Sequence, residues 1–354
     1  MALNLHSAAK LEDLVVRIFT AAGWSASEAG ETARHLVLAN LSGHDSHGVS
    51  MVPIYINSFI NGHMSPKSVP EIRVDAAPFL VIDGKVSLGQ PTANAATRRA
   101  IGMAKTGGVC ILNLLNTHHI GRIGNYAEMA AEAGLISMFW VNVAGRPPIV
   151  APFGARESRL GTNPHTIGVP CGETPLILDF ATSRMAHGKA RMAHNKGEQV
   201  PPGYLIDKDG VPTTDPQSVF DDGTGGPMGS LLSFGDYKGA GIGLMAEILS
   251  AGLAGGPTMP ETPRKGWVIN NLMGILIDPA RLDPSGTGGE ARTEVLANYI
   301  RSAQPQAGID KVRAPGDIER ETRIVRQRDG IAVDAGTWKL IVEAAEKVGV
   351  AVGK

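Results

Sequence analysis

Apolar runs of strand length recur through the middle of the chain, at 79–83, 109–115, 136–143, 176–180 and 267–277. Helical segments separate them, near 93–104, 125–133, 240–253 and 290–301. This alternation constrains the fold most, because strands flanked by helices bury their apolar faces in a sheet that those helices cover. The chain ends read differently. Leu11, Leu14, Val15, Ile18, Phe19 and Ala22 recur at helical spacing, and Gly23 closes the run. Ser25 and Glu28 have the spacing of a capping box for a second helix toward Leu41. Further helices are predicted over 52–60 and 337–348, and loops at 221–229 and 283–289. The fold class that follows is α/β (α+β). A mixed-sheet sandwich domain spans 76–309, and the N- and C-terminal segments, 1–75 with 310–354, form a helical domain.

A dinucleotide enzyme of the Rossmann type carries G-x-G-x-x-G between a strand and a helix. None fits here. Gly239, Gly241 and Gly243 alternate, but they lie inside a helical pattern with no strand before them. No P-loop and no G-x-S-x-G nucleophile elbow occurs.

Composition narrows the function classes. A net charge of −1 on 354 residues gives no electrostatic case for nucleic acid or an anionic membrane, so an anion site must be local. No run of about eighteen apolar residues predicts a membrane span. The N-terminal stretch lacks a basic region followed by an apolar core, and the expected location is the cytoplasm. Cys110 and Cys171 sit in strand-like surroundings and read as buried thiols.

Chemistry concentrates in two glycine-flanked histidine groups. One is Gly43-His44-Asp45-Ser46-His47-Gly48, and the other runs from Asn116 through His118, His119, Gly121, Arg122 and Ile123 to Gly124. Histidine suits proton transfer near neutral pH. The rival reading is a metal-dependent hydrolase or lyase using His44, Asp45, His47 and His119, although no third spaced ligand or cysteine joins them and no metal is expected. Gly161-Thr162-Asn163-Pro164 and Leu178-Asp179-Phe180-Ala181-Thr182-Ser183 could hold phosphate or ribose. Taken alone, the residues favour a helix cap by Thr182 or Ser183. Lys238 opens an apolar helix, where an anion is welcome. Arg313-Ala314-Pro315-Gly316-Asp317 reads as a surface turn.

Seven motifs in this order resemble the malate/L-lactate dehydrogenase family: DSHG at 45–48, NTHHIGRIG at 116–124, APFG at 151–154, GTNP at 161–164, LDFATS at 178–183, YKG at 237–239 and APGD at 314–317. The resemblance covers nearly the whole chain. It implies a non-Rossmann fold, interconversion of small 2-oxo and 2-hydroxy acids with NAD (NADP being the other candidate), and a homodimer with the cofactor near the interface. It also implies proton transfer or cofactor contact by His47 and His119. Gly121, Arg122 and Ile123 would lie along the cofactor, as would Leu178, Asp179, Phe180, Ala181 and Thr182, then Lys238, Pro315, Gly316 and Asp317, and Asn270 or Asn271. Ser46 and Met51 fall on the substrate side. Many family members carry an arginine where this chain has Met51. Arg122 or Arg146 is then left to bind the carboxylate, or the substrate differs, and methionine admits a more apolar side chain.

Overall fold

The computed structural model describes residues 3–221, 228–261, 267–283 and 289–352. In chain order the elements are β1 (Leu3–His6), α1 (Ala8–Ala21), α2 (Ala26–Leu41), α3 (Val52–Ile60), β2 (Glu71–Ala76), β3 (Phe79–Asp83), α4 (Gly89–Gly107), β4 (Val109–Thr117), α5 (Gly124–Glu132), β5 (Ile136–Ala144), β6 (His165–Val169) and β7 (Leu176–Phe180). There follow α6 (His187–Lys196), β8 (Leu205–Ile206), β9 (Pro212–Thr213), β10 (Ser230–Leu231), α7 (Tyr237–Ser250), β11 (Ile269–Ile277), α8 (Gly289–Arg301), α9 (Asp317–Asp329), β12 (Ile331–Asp334) and α10 (Ala335–Lys347).

Local chemistry sets the helical ends. Ser7 accepts from the Lys10 amide at the start of α1, whose buried stripe is Leu11, Leu14, Val15, Ile18 and Phe19. Gly23 then takes φ +103°, a value glycine adopts without strain. The capping box of α2 is present: Ser25 Oγ accepts from the Glu28 amide, and the Glu28 carboxylate accepts from the Ser25 amide. β1 pairs antiparallel with β12, from Leu3 opposite Asp334 to His6 opposite Ile331. One buried cluster joins Phe19, Leu36, Val52 and Ile56 to Ile331, Val333, Ile341 and Ala345, so both chain ends share a hydrophobic core.

A seven-stranded mixed sheet has the order β2-β3-β4-β11-β5-β6-β7. β3 and β4 run parallel, joined by α4 as the crossover; the other pairings are antiparallel. Alternation along β4 and β5 sorts the faces. Leu112, Leu114, Phe139 and Val141 pack with Ala96 and Ala100 of α4 and Ala127 of α5. Asn113 and Asn142 point the other way and bond to Ser250 and Glu247 of α7. The sheet is therefore covered on both faces, as the mixed α/β expectation requires. β8, β9 and β10 form a small separate sheet.

Some expectations shift. The strand expected at 267–277 begins at Ile269, and Cys171 lies just beyond β6 rather than in a strand, though both cysteines are buried. Thr182 and Ser183 cap no helix. Thr182 Oγ1 donates to Thr162 O, Ser183 Oγ donates to Met185 O, and α6 begins only at His187. Most of the expected loops 221–229 and 283–289 falls outside the described residues.

Candidate active site

The turn carrying His47 is a short 3-10 segment, Asp45–His47, held from below by α2. Asn40 Nδ2 donates to Asp45 Oδ1 (2.7 Å), and Asn40 Oδ1 accepts from the Val49 amide (2.8 Å). Gly48 must be glycine here, because a Cβ would fall 2.1 Å from Asn40 Oδ1. Arg326 of α9 clamps Asp45 with two bonds, 2.6 and 3.0 Å. The second histidine follows the end of β4, in a loop whose Ile120 amide donates to Asn270 Oδ1 (3.0 Å).

These supports bring His47 and His119 together. His47 Nδ1 lies 3.2 Å from His119 Nε2, with ring planes 7° apart. The Tyr55 hydroxyl of α3 meets His119 Nδ1 at 2.6 Å, and Gln90 Nε2 of α4 donates to the Tyr55 oxygen, also at 2.6 Å. Both nitrogens of buried His119 are thus occupied, whereas half-buried His47 has its bond at Nδ1.

Burial dominates the electrostatics. It pushes His47 down to about 4, helped by His44 and Arg122 and opposed by Asp179. Burial holds His119 well below the usual histidine range, with His47 and His118 adding to the effect. Desolvation likewise takes His35 and His118 to about 3. At neutral pH these rings are uncharged, so each offers one N–H donor and one acceptor nitrogen.

Beside the pair, Arg122 is buried with two carboxylates. Its Nη1 donates to Glu128 (3.0 Å), and its Nε lies 3.6 Å from Asp179 Oδ2. Asp179 also accepts from the Gly124 amide and the Thr166 hydroxyl, both at 2.8 Å. Arg146 differs. It reaches solvent, makes no ion pair among the described residues, and lies within electrostatic reach of His118, His119, His187 and Arg191.

The sequence pattern of malate/L-lactate dehydrogenases matches residues 6–342. The chain belongs to the malate/L-lactate dehydrogenase family. It is 39% identical to hydroxycarboxylate dehydrogenase B of Escherichia coli K12 over 343 residues, covering 96% of this chain and 93% of that protein. It is 37% identical to an L-lactate dehydrogenase of Cupriavidus necator, with 99% of each covered. The solved sulfolactate dehydrogenase of Methanocaldococcus jannaschii superposes with a TM-score of 0.85 at 30% identity, covering 98% of both chains. The fold and the function class implied by the seven motifs are both borne out: the protein is an oxidoreductase of 2-hydroxy acids in a nicotinamide-dependent family. The metal-hydrolase alternative is not favoured. Its ligands face elsewhere, His44 toward Glu319 (3.2 Å) and Asp45 toward Arg326.

The remaining expected residues of this dehydrogenase do not gather in one place. Gly121, Arg122, Ile123 and Asp179 adjoin the histidine pair. Gly121, at φ +78°, is required by His35, whose Nε2 would lie 2.4 Å from a Cβ, and the Ile123 side chain belongs to the sheet core. Leu178 and Phe180 point to the opposite side of β7 from Asp179, by strand alternation. The turn Pro315-Gly316-Asp317 adjoins the same strand through the Ile177 amide, which donates to Pro315 O at 3.3 Å. Asp317 itself is held by Arg301 and Arg320. Ala181 precedes the buried Thr182. Lys238 lines a shallow cavity of about 410 Å³ with Trp140, His165, Tyr237 and Met245, on the α7 face. Asn270 braces backbone, donating to Asn142 O at 3.0 Å. Ser46 meets Gly188 of α6, and Met51 packs against the helical core. Sequence reasoning missed Tyr55, Gln90, Glu128 and His187. A tyrosine in an apolar helix and a glutamine in an alanine-rich one carry no signal until the fold places them by His119.

Proposed function

We propose that the protein reduces small 2-oxo acids to 2-hydroxy acids with NADH, and that His47 donates the proton. One observation carries this assignment: His119 uses both ring nitrogens internally, which leaves Nε2 of the half-buried His47 as the imidazole nitrogen open to a substrate. The nicotinamide, when bound, supplies the hydride. The donor set suits such a cofactor. Buried Arg122 keeps two nitrogens without a hydrogen-bond acceptor, and Leu178 stands 41% exposed on the strand beside the Pro315 turn.

Each reduction consumes one proton, which enters from solvent at His47. An Nε2–H donor stabilises negative charge as it develops on the carbonyl oxygen and then transfers the proton. Arg146 binds the substrate carboxylate, because Arg122 already faces Asp179 and Glu128. That carboxylate in turn favours protonation of the nearby imidazole. This reading assigns Ser46 and Met51 to the substrate side, where a thioether in place of a charged group admits a bulky apolar side chain.

The same reading takes the protein as a cytoplasmic homodimer of two-domain subunits, 1–75 with 310–354 against 76–309. Exposed apolar side chains on α7 and α8, among them Tyr237, Met245, Val295 and Tyr299, support a dimer. Among the described residues no helix is long and apolar enough to cross a membrane.

The test is a panel of 2-oxo acids, phenylpyruvate included, assayed with NADH and NADPH separately in the wild type, His47→Gln and His119→Gln. Turnover preferring NADH and abolished in His47→Gln is expected. Normal NADH oxidation with phenylpyruvate in both variants overturns the proposal.

A further inference from the structure

The hydrogen-bonded chain behind His47 has a direction. Gln90 Nε2 is a donor, so the Tyr55 oxygen accepts from it and the Tyr55 proton is free to point at His119 Nδ1. His119 Nδ1 then accepts, which places the His119 proton on Nε2. That proton points at His47 Nδ1, 3.2 Å away, so His47 carries its own proton on Nε2. We propose that Tyr55 and Gln90 are positioning residues that fix the tautomers of His119 and His47 and so keep the His47 Nε2–H aimed outward as a donor. The inference rests on the assignment of His47 above and names what orders that histidine.

The surroundings leave this chain well defined. Tyr55 is fully buried, edge-on to His118 (5.0 Å, 88°) and to Phe19 (6.1 Å, 71°), so its ring cannot swing away. Gln90 is fully buried at the start of α4. Burial pushes the Tyr55 hydroxyl above its ordinary range, and it remains a donor across physiological pH. Around the pair stand His44 in the same turn, His35 on α2, His118 and Arg122 in the loop after β4, Asp179 on β7, and Arg146 beyond β5. None of these bonds either His119 nitrogen. Among the described residues, the Tyr55 hydroxyl is the group that bonds His119 Nδ1 and so decides which His119 nitrogen accepts.

A fixed His119 Nε2–H has a second consequence. It fills the His47 Nδ1 lone pair and opposes a proton there, so unliganded His47 stays neutral with its proton on Nε2. It transfers that proton only once the bound substrate carboxylate has favoured uptake of a second proton from solvent, which leaves the ring neutral again. Without the Tyr55 hydroxyl, His119 can place its proton on Nδ1 and accept at Nε2. His47 then gains a proton on Nδ1 more easily, and its pKa rises.

The test uses the whole protein, labelled with 15N-histidine, and the variants Tyr55→Phe and Gln90→Leu. In the wild type without substrate, nitrogen shifts and couplings should assign Nε2–H to both rings. Tyr55→Phe keeps the aromatic packing and should move His119 toward Nδ1–H. Its titration should place His47 at higher pH. For 2-oxo acid reduction, kcat should fall roughly tenfold to a hundredfold, as when partners orienting an active histidine are lost, while KM for NADH stays within about twofold. Gln90→Leu should give a smaller shift of the same sign, and it serves if Tyr55→Phe fails to fold. Unchanged histidine tautomers and an unchanged titration in both variants overturn the proposal. If instead the tautomers respond but the wild type reduces no 2-oxo acid with either cofactor, the functional reading falls and the positioning role stands.

Discussion

Gly89 sits against the His119 backbone so closely that a Cβ on it would fall 2.2 Å from the His119 carbonyl oxygen and 2.5 Å from that of His118. The first residue of α4 is therefore a spacer that sets the depth of the histidine loop. Gly89→Ala must displace backbone rather than a flexible side chain. It should destabilise the protein by about 2 kcal/mol, the usual range for overpacking, and lower kcat more than KM for NADH. Chemical denaturation with steady-state kinetics checks this. Wild-type stability in Gly89→Ala would mean that the loop yields freely.

Arg146→Met separates substrate binding from chemistry. A charge-assisted bond to a carboxylate contributes roughly 1.5–3 kcal/mol. The variant should raise KM for the 2-oxo acid roughly tenfold to a hundredfold, by the same conversion, and leave the KM for NADH unchanged. The complementary variant, Arg122→Met, should mainly unfold the site. It strands Asp179, while Glu128 keeps Arg323, and breaking a buried pair costs about 3–5 kcal/mol. An Arg146→Met enzyme with wild-type KM for the acid would return the carboxylate to another group.

The buried histidines make the fold acid-sensitive. His35 and His118 are held at about 3, and His47 and His187 at about 4, against an unfolded value of 6.5. Their pKa values are depressed in the folded state, so the unfolded chain binds more protons as the pH falls. Their stability contribution is full above about pH 6.5 and is lost progressively as the pH drops, toward 4 for His47 and His187 and toward 3 for His35 and His118. Each group that protonates only on unfolding adds about 1.4 kcal/mol per pH unit to the slope. Urea melts at pH 7, 6 and 5 should show a steep decline, and His118→Gln should flatten it. A flat profile over that interval would contradict neutral burial.

Much of the scaffold could be read from the sequence because local signals and tertiary needs agreed. β7 over 176–180 and α3 over 52–60 have the expected bounds, and the Ser25–Glu28 capping box forms as spaced. Both histidines of the site stood out through their glycine-flanked loops. Other elements carried no apolar stripe. β2 is exposed along its length, and α9 has no buried residue, yet α9 supplies Arg326 to the His47 turn. The partners of Arg122 come from two elements, Glu128 on α5 and Asp179 on β7, and no local spacing brings them together. Tyr55 and Gln90 acquire their roles only when α3 and α4 converge on His119. What reading the sequence alone missed was chiefly the pairing of polar groups distant along the chain.

Asp179→Asn tests how that long-range pairing reaches the chemistry. Asp179 is the neighbour that raises the His47 pKa, while His44, Arg122 and burial lower it. An amide removes the negative charge but keeps an oxygen able to accept from the Gly124 amide, so the loop should hold. Two effects then push the same way. The His47 ring loses its stabilising anion, and the Arg122 charge beside it is less compensated. The His47 pKa should fall further, and the alkaline limb of kcat/KM for 2-oxo acid reduction, where the donor loses its proton, should move to lower pH. The rate at neutral pH should fall with it, because a smaller fraction of His47 carries the extra proton as substrate arrives. Glu128→Gln is the control, since Glu128 is shared by Arg122 and Arg323 and is not among the groups acting on His47. It should weaken folding with little change in the position of the limb. An upward or absent shift in Asp179→Asn would mean that Asp179 only braces Gly124 and Thr166, and that the charge balance of the proton donor is set elsewhere.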